Sequence, residues 1–419
     1  MSTSKKLFAV KYEDIFILNG ARTPFGKFCG MLGTISPTDL GIIASREAIK
    51  RSGVQPEDID HVVFANIIQA GFDAIYLPRH IGLYCGIPHD VPAMMVQRIC
   101  GSGFESIISG AEQITLGKAR TVLAGGAENM TLSPTSSFGN RLGYRLGQLK
   151  FGDMLWEGLM DPAVKCTMGQ TAENLARKYS ISREEVDDFA FRSHSLAVQK
   201  TQDGTLKEEM VPVASGENVL ENLERRVYRT TPKKAVLDYD ENVRETSRED
   251  LSKLRPTFAS DGVQTAGNSS GIVDGAAALV VASGAFVSQA NLDPLARVVA
   301  SASTGVDPVY MGIGPAPSIR AVLDVAGLTM EDIALFEINE AFGAQIVAVE
   351  KELGIERERL NVNGGAIAIG HPLAATGTRL THTLALELRR RNARYGVASA
   401  CIGGGQGTAI LIENTSAGA

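Results

Sequence analysis

Apolar positions along this chain change rhythm, from the spacing of an amphipathic helix to a short unbroken apolar run, and the same change occurs twice. In REAIKRSGVQPEDIDHVVFAN, from Arg46 to Asn66, the helical run ends at Gly53; in IRAVLDVAGLTMEDIALFEIN, from Ile319 to Asn339, it ends at Gly327. Each glycine is predicted to be a left-handed helix cap, a conformation that costs glycine no steric penalty. Both copies then pass through a polar turn with an E-D-I triplet into a short strand.

The parallel continues downstream. Residues 100–126, CGSGFESIISGAEQITLGKARTVLAGG, and residues 371–401, HPLAATGTRLTHTLALELRRRNARYGVASAC, each predict a helix of small residues followed by a buried strand. In the second copy GGGQG turns straight into TAILIE, whereas the matching strand of the first copy, AAALVVAS from Ala276 to Ser283, follows a long insertion. The repeat divides the chain into a first half (1–129 plus 258–292), an inserted domain (130–257) and a second half (293–419). The insertion holds a glycine-and-aromatic stretch, a helix pair in TAENLARKYSISREEVDDFAFRSHSLAVQK with Ser182 and Glu185 spaced as a capping box, and a mixed-charge segment, Glu221 to Arg255, that reads as solvated surface. Alternating strands and helices predict a layered α/β fold with two mainly parallel sheets. The repeat allows corresponding helices to pack together, with a cleft where their N-termini meet.

Length and composition agree. At 419 residues the chain exceeds the size at which one core stops growing. With 44% hydrophobic and 21% charged residues it has little room for a long disordered tail. A net charge of −6 argues against non-specific nucleic-acid binding. Five cysteines, without a C-x-x-C pair, speak against a disulfide framework or a structural zinc site and for a reducing, cytoplasmic compartment. The N-terminal MSTSKKLFAVKYEDIF has a lysine pair but lacks the apolar core of a signal peptide, no apolar run is long enough to span a membrane, and the C-terminal TSAGA matches no retention or peroxisomal address.

Four places could carry chemistry. Cys100, in VQRICGSGFESIISGAEQI, sits between a strand-like run and a helix, where the helix dipole is expected to favour the thiolate and where Gly101 and Gly103 would leave the sulfur and nearby N–H groups uncovered. His371, in GGAIAIGHPLAATG, occupies the corresponding turn of the second half, so the repeat would bring an imidazole opposite Cys100 to take its proton. Cys401, in CIGGGQG, is either a structural thiol or a second reactive one able to move a proton beside a thioester carbonyl; the glycines after it lack the lysine of a phosphate loop. Asn339, in FEINEAFGAQ, either caps a helix or holds a water that donates to an oxyanion.

Together, Cys100 in CGSG, the stretch TAGNSSGIVDGAAA, Asn339 in NEAF, His371 in GGAIAIGHPLAATG and Cys401 in CIGGGQG closely resemble the thiolase family, in the family's order and across essentially the whole chain. The resemblance implies two pseudo-symmetric βαβαβαββ halves in a five-layered αβαβα arrangement with an inserted loop domain, a homodimer or homotetramer, and an acyltransferase of fatty-acid metabolism. Its substrates would be acetyl-CoA, 3-ketoacyl-CoA and coenzyme A, with no metal or other cofactor. It also implies roles: Cys100 as the acylated nucleophile, His371 as its base, Cys401 as the acid/base at the α-carbon. Asn339, through a water, and His371 would form one oxyanion hole, and the N–H groups of Cys100 and Gly403 the other. Ser270 would contact the pantetheine arm, Phe258 pack near the coenzyme, Arg244 lie by the adenine, and Met168 would join them in binding coenzyme A. This chain departs from the pattern at Thr167, where many thiolases carry the histidine of His-Met-Gly, at Gln97, and in HPLAATG. Two other readings remain: a decarboxylating condensing enzyme of the ketosynthase type, and a non-catalytic lipid-binding relative.

Overall fold

The computed structural model describes residues 8–231 and 236–417. The N-terminal lysine pair and the last two residues of TSAGA lie outside the described residues. Nine strands form one hydrogen-bonded path, in the order Ile333–Ile338, Tyr395–Ile402, Gln406–Asn414, Ala296–Gly305, Ile15–Arg22, Val273–Ser283, Thr121–Glu128, His61–Ala65 and Ala93–Val96. The first four belong to the second half and the last five to the first. Along this path the halves join through Ala296 opposite Ile17 and Arg297 opposite Phe16, and the short strand Ala9–Lys11 of the first half also pairs antiparallel with Ala296–Gly305.

The expectation of two mainly parallel sheets is corrected. On this path the parallel neighbours are Ile333–Ile338 with Tyr395–Ile402, and His61–Ala65 with Ala93–Val96 and Thr121–Glu128. The other neighbours on the path run antiparallel. A helical crossover returns a strand parallel, but a tight glycine turn such as the one between Ile402 and Gln406 can only reverse it.

Five layers result. The helices Ser102–Thr115 and Leu373–Arg390 lie against each other between strands of both halves. Around them is the central core, with Phe104, Ile107, Leu380, Leu384 and Leu388 packed on Ala124, Leu279, Ala398 and Ile410. Helices Pro37–Arg51 and Leu77–Tyr84 cover the outer face of the first half, and Pro315–Ala326 covers that of the second, each over its own apolar cluster. Gly53 and Gly327 have φ of +70° and +72°, as their places after a helix require.

In the inserted region, Ser182 caps the helix Arg183–Gln202, and Glu185 reaches back to the Ser182 N–H at 2.7 Å. The charged stretch Glu221–Arg255 is less solvated than expected: Asp240 is buried and accepts from both terminal guanidinium nitrogens of Arg22 at 2.7 and 2.9 Å. A fully buried arginine needs such a partner, because an unpaired charge in the interior is costly. Among the described residues, no helix is long and apolar enough to cross a membrane.

Candidate active site

Cys100 lies in a tight turn just before the helix Ser102–Thr115. Gly101 N–H donates to Arg98 O at 2.9 Å, Ser102 N–H to Ile99 O at 3.0 Å, and Arg98 N–H to the Ser102 hydroxyl at 2.6 Å. Ile99 has φ of +44°, an outlier for a β-branched residue and the kind of strain held at working sites. The two glycines do not serve to uncover the sulfur. A Cβ at Gly101 would stand 2.5 Å from Ile402, and one at Gly103 would stand 2.6 Å from the Thr378 nitrogen and 2.7 Å from that of Gly377. They let the Cys100 turn press on the strand end that carries Cys401 and on the helix that follows His371.

His371 is held from three sides. Its N–H donates to Gly271 O at 3.0 Å, its Nδ1 is 2.6 Å from the Thr376 hydroxyl, and its Nε2 is 3.3 Å from the Asn339 amide nitrogen. Asn339 follows the strand Ile333–Ile338, and its N–H donates to Ser399 O at 2.9 Å, two residues from Cys401. It caps no helix, since the next one begins at Gly343 with Phe342 at the cap. Its side-chain oxygen is buried without a protein partner, a place suited to a bound water. Cys401 is fully buried near the end of its strand, and the Gly403 N–H points at the Cys100 sulfur.

The charge state of the resting site follows from burial. Burial pushes the Cys100 thiol up to about 11, against the pull of the Gly403 and Cys100 N–H groups, so the expected helix-stabilised thiolate is corrected to a neutral thiol. The helix begins only at Ser102, and desolvation outweighs its dipole. Burial, and next the neighbouring Cys100, hold Cys401 well above the ordinary thiol range. Burial, aided by the Arg379 charge, pushes His371 down to about 3 and leaves it neutral. Two thiols and an unprotonated imidazole can pass protons when a substrate arrives without first breaking an ion pair.

A cavity of about 650 Å³ opens beside Cys100, lined by Ile67, Ile68, Ile99, Leu155, Met160, Met168, Leu373 and Gly403 among others. Phe258 packs its ring over Gly169 and meets Phe342 edge-on at 5.7 Å. Ser270 is tied by its N–H to Ala341 O at 3.0 Å and adjoins Gly271, the partner of His371. Arg244 is exposed, its guanidinium 3.4 Å from Asn242 O in its own loop, and it does not line the cavity. Thr167, at the departing position, caps the helix Met168–Lys178 through the Gln170 N–H at 3.2 Å.

Two neighbours of the site escaped sequence reasoning. Thr376 lies inside the quoted motif HPLAATG, yet nothing in its spacing told that it would meet the imidazole. Glu128 is fully buried at the end of the apolar strand Thr121–Glu128, where an acid closing an otherwise apolar run was the available signal.

The family models for the thiolase N-terminal and C-terminal domains match residues 15–285 and 292–414. The chain is 46% identical to a mitochondrial 3-ketoacyl-CoA thiolase of Bos taurus over 96% of this chain and 99% of that one. It is 42% identical, over the same shares, to an acetyl-CoA acetyltransferase of Syntrophomonas wolfei. The crystal structure of human mitochondrial 3-ketoacyl-CoA thiolase in complex with CoA superposes with a TM-score of 0.91 at 44% identity, covering 96% of this chain and 98% of that one. With both domain models matched end to end and relatives this similar over nearly the full length, the chain belongs to the thiolase family.

Proposed function

We propose that this chain catalyses the CoA-dependent thiolysis of 3-ketoacyl-CoA, and the reverse condensation, through an acyl group carried on Cys100. One observation carries the reading. Cys100 lines a largely apolar cavity with the buried thiol of Cys401 as its electrostatic neighbour, and the segment that follows the linked His371 and Asn339 packs on the Cys100 turn, in a chain whose relatives are named for this reaction.

In the cleavage direction His371 takes the Cys100 proton as the sulfur bonds to the 3-keto carbon. Asn339, through a water at its free oxygen, and the protonated His371 Nε2 stabilise one oxyanion; the N–H groups of Cys100 and Gly403 stabilise the other. The bond between C2 and C3 then breaks, and the acetyl-CoA carbanion takes a proton from Cys401, whose burial keeps that proton available. Coenzyme A next gives its thiol proton to the Cys401 thiolate and attacks the acyl-cysteine, and the released Cys100 sulfur recovers its proton from His371, completing a ping-pong cycle. Met168 lines the acyl cavity, Phe258 and Ser270 flank the pantetheine path, and the exposed guanidinium of Arg244 is assigned to the nucleotide end.

A ketosynthase would require a malonyl donor and a second histidine or an asparagine paired with histidine at the cysteine; the thiol of Cys401 stands against it. The finer assignments are cytoplasmic location and a homodimer or homotetramer, supported by the five free cysteines and by the edge strand Ala93–Val96, which pairs along one side only. Steady-state turnover across a ladder of 3-ketoacyl-CoA lengths tests the reading. Consumption of the ketoacyl substrate only when CoA is present supports it, and dependence on a malonyl thioester contradicts it.

A further inference from the structure

Glu128 is a buried carboxyl group with no cation beside it among the described residues, and burial pushes it up to about 8 against the pull of the N–H groups that face it. One of its oxygens accepts from the Ile68 N–H at 2.9 Å and from the Asn66 side-chain amide at 3.2 Å; the other accepts from the Ala374 N–H at 3.1 Å. Asn66 is itself fixed by donating to Ala127 O at 2.9 Å. The first oxygen thus grips the segment whose Ile67 and Ile68 form a wall of the acyl cavity. The second grips the first turn of the helix Leu373–Arg390, three residues after His371, where the preceding Pro372 offers no side-chain cap. Free N–H groups at a helix start need an acceptor, and here it comes from the other half of the molecule.

We infer that Glu128 is a positioning residue that sets the His371 turn in register with Cys100 and with the acyl-cavity wall. The inference rests on His371 being the base for Cys100. Shape alone cannot do this work: each carboxylate oxygen faces only N–H donors, so an amide of the same size would turn its own NH2 group toward a donor on one side or the other. Above about pH 8, where the carboxyl is ionised, the Glu128 charge also opposes thiolate formation at Cys100, after burial and the N–H groups. Removing it should therefore speed the reaction of the sulfur with a simple alkylating agent while slowing turnover, two effects that a merely structural residue would not separate.

The test compares Glu128→Gln, Glu128→Asp and His371→Ala in the full chain. Glu128→Gln, with wild-type circular dichroism, is expected to lower kcat for thiolysis about 10²-fold, the scale of a misplaced catalytic group, with KM for coenzyme A nearly unchanged and faster iodoacetamide alkylation of Cys100 at pH 9, where the wild-type carboxyl is ionised. Glu128→Asp keeps the charge but draws it back by one methylene, so kcat should fall at a wild-type alkylation rate. If Glu128→Gln does not fold, Glu128→Asp decides: a folded protein with wild-type kcat overturns the inference. A folded Glu128→Gln with wild-type kcat, or with slower alkylation, overturns it too. Wild-type kcat in His371→Ala would overturn the base assignment instead, whereas an inactive His371→Ala beside an active Glu128→Gln removes only the link through Glu128.

Discussion

Gly103→Ala separates two lines of physical reasoning. Gly103 lies in the first turn of the helix Ser102–Thr115, where alanine should be favoured over glycine by about 1 kcal/mol of helix propensity. The added methyl, however, would stand 2.6 Å from the Thr378 nitrogen, 2.7 Å from the Gly377 nitrogen and 2.8 Å from Ala374 O. All three are backbone atoms and none can rotate aside. Restoring an ordinary contact of 3.4 Å requires the two central helices to part by about 0.8 Å at their closest point. Overpacking of this kind costs about 1–3 kcal/mol, which outweighs the propensity gain. The parting also falls just after Cys100 on one helix and just after His371 on the other, where a shift near 1 Å costs on the order of 10²-fold in rate. We expect thermal unfolding to move down and kcat/KM for thiolysis, followed by loss of ketoacyl-CoA enolate absorbance, to fall about 10²-fold. A Gly103→Ala protein at least as stable as wild type with unchanged kcat/KM would refute the claim that helix contact places the site.

Three further outcomes are expected. Because burial raises Cys100 to about 11, the rate of its alkylation by iodoacetamide in the free protein should climb about tenfold per pH unit from pH 7 toward 10, and a plateau below pH 8 would mean a standing thiolate. Thr376→Val removes the hydroxyl 2.6 Å from His371 Nδ1 and leaves a buried nitrogen without its partner, a cost of about 1–3 kcal/mol that should appear as a drop in kcat of about 5- to 150-fold; Thr376→Ser should recover most of it, and equal loss in both variants would deny the hydrogen bond a role. Leu155→Trp narrows the acyl cavity, so kcat/KM should fall about 10-fold or more for long 3-ketoacyl chains and stay near wild type for acetoacetyl-CoA; a uniform loss across the ladder would place the chain elsewhere.

Much of this architecture could be read before any coordinates. The repeated helix, glycine cap and strand revealed two halves, because burying matched faces leaves a periodic trace; the corresponding turns then pointed to Cys100 and His371. Strand direction was less legible. Whether a strand returns parallel depends on the length and path of the connection, and the long insertion before Val273–Ser283 hid that path. Gly101 and Gly103 were noticed for the wrong reason, since a requirement for close helix contact and one for an open sulfur leave the same residue in the sequence. The protonation of Cys100 was misjudged because its burial depends on Met130, Leu155 and Leu373, which no local pattern places beside it. Asn339 stood between capping and catalysis until the helix start at Gly343 removed the first. Glu128 and Thr376 were invisible as site neighbours for a related reason: each meets the site only through contacts made when the halves close on one another or the helix winds.

The central claim is that the acyl group crosses this protein on one particular sulfur. Brief mixing with a 3-ketoacyl-CoA without free coenzyme A, followed by acid quenching and peptide mass mapping, measures this directly. One acyl adduct is expected, on the peptide containing Cys100, formed also by Cys401→Ala when the acyl donor is a simple acyl-CoA, and discharged when coenzyme A is added. An adduct on Cys401, or full turnover by Cys100→Ala, would contradict it.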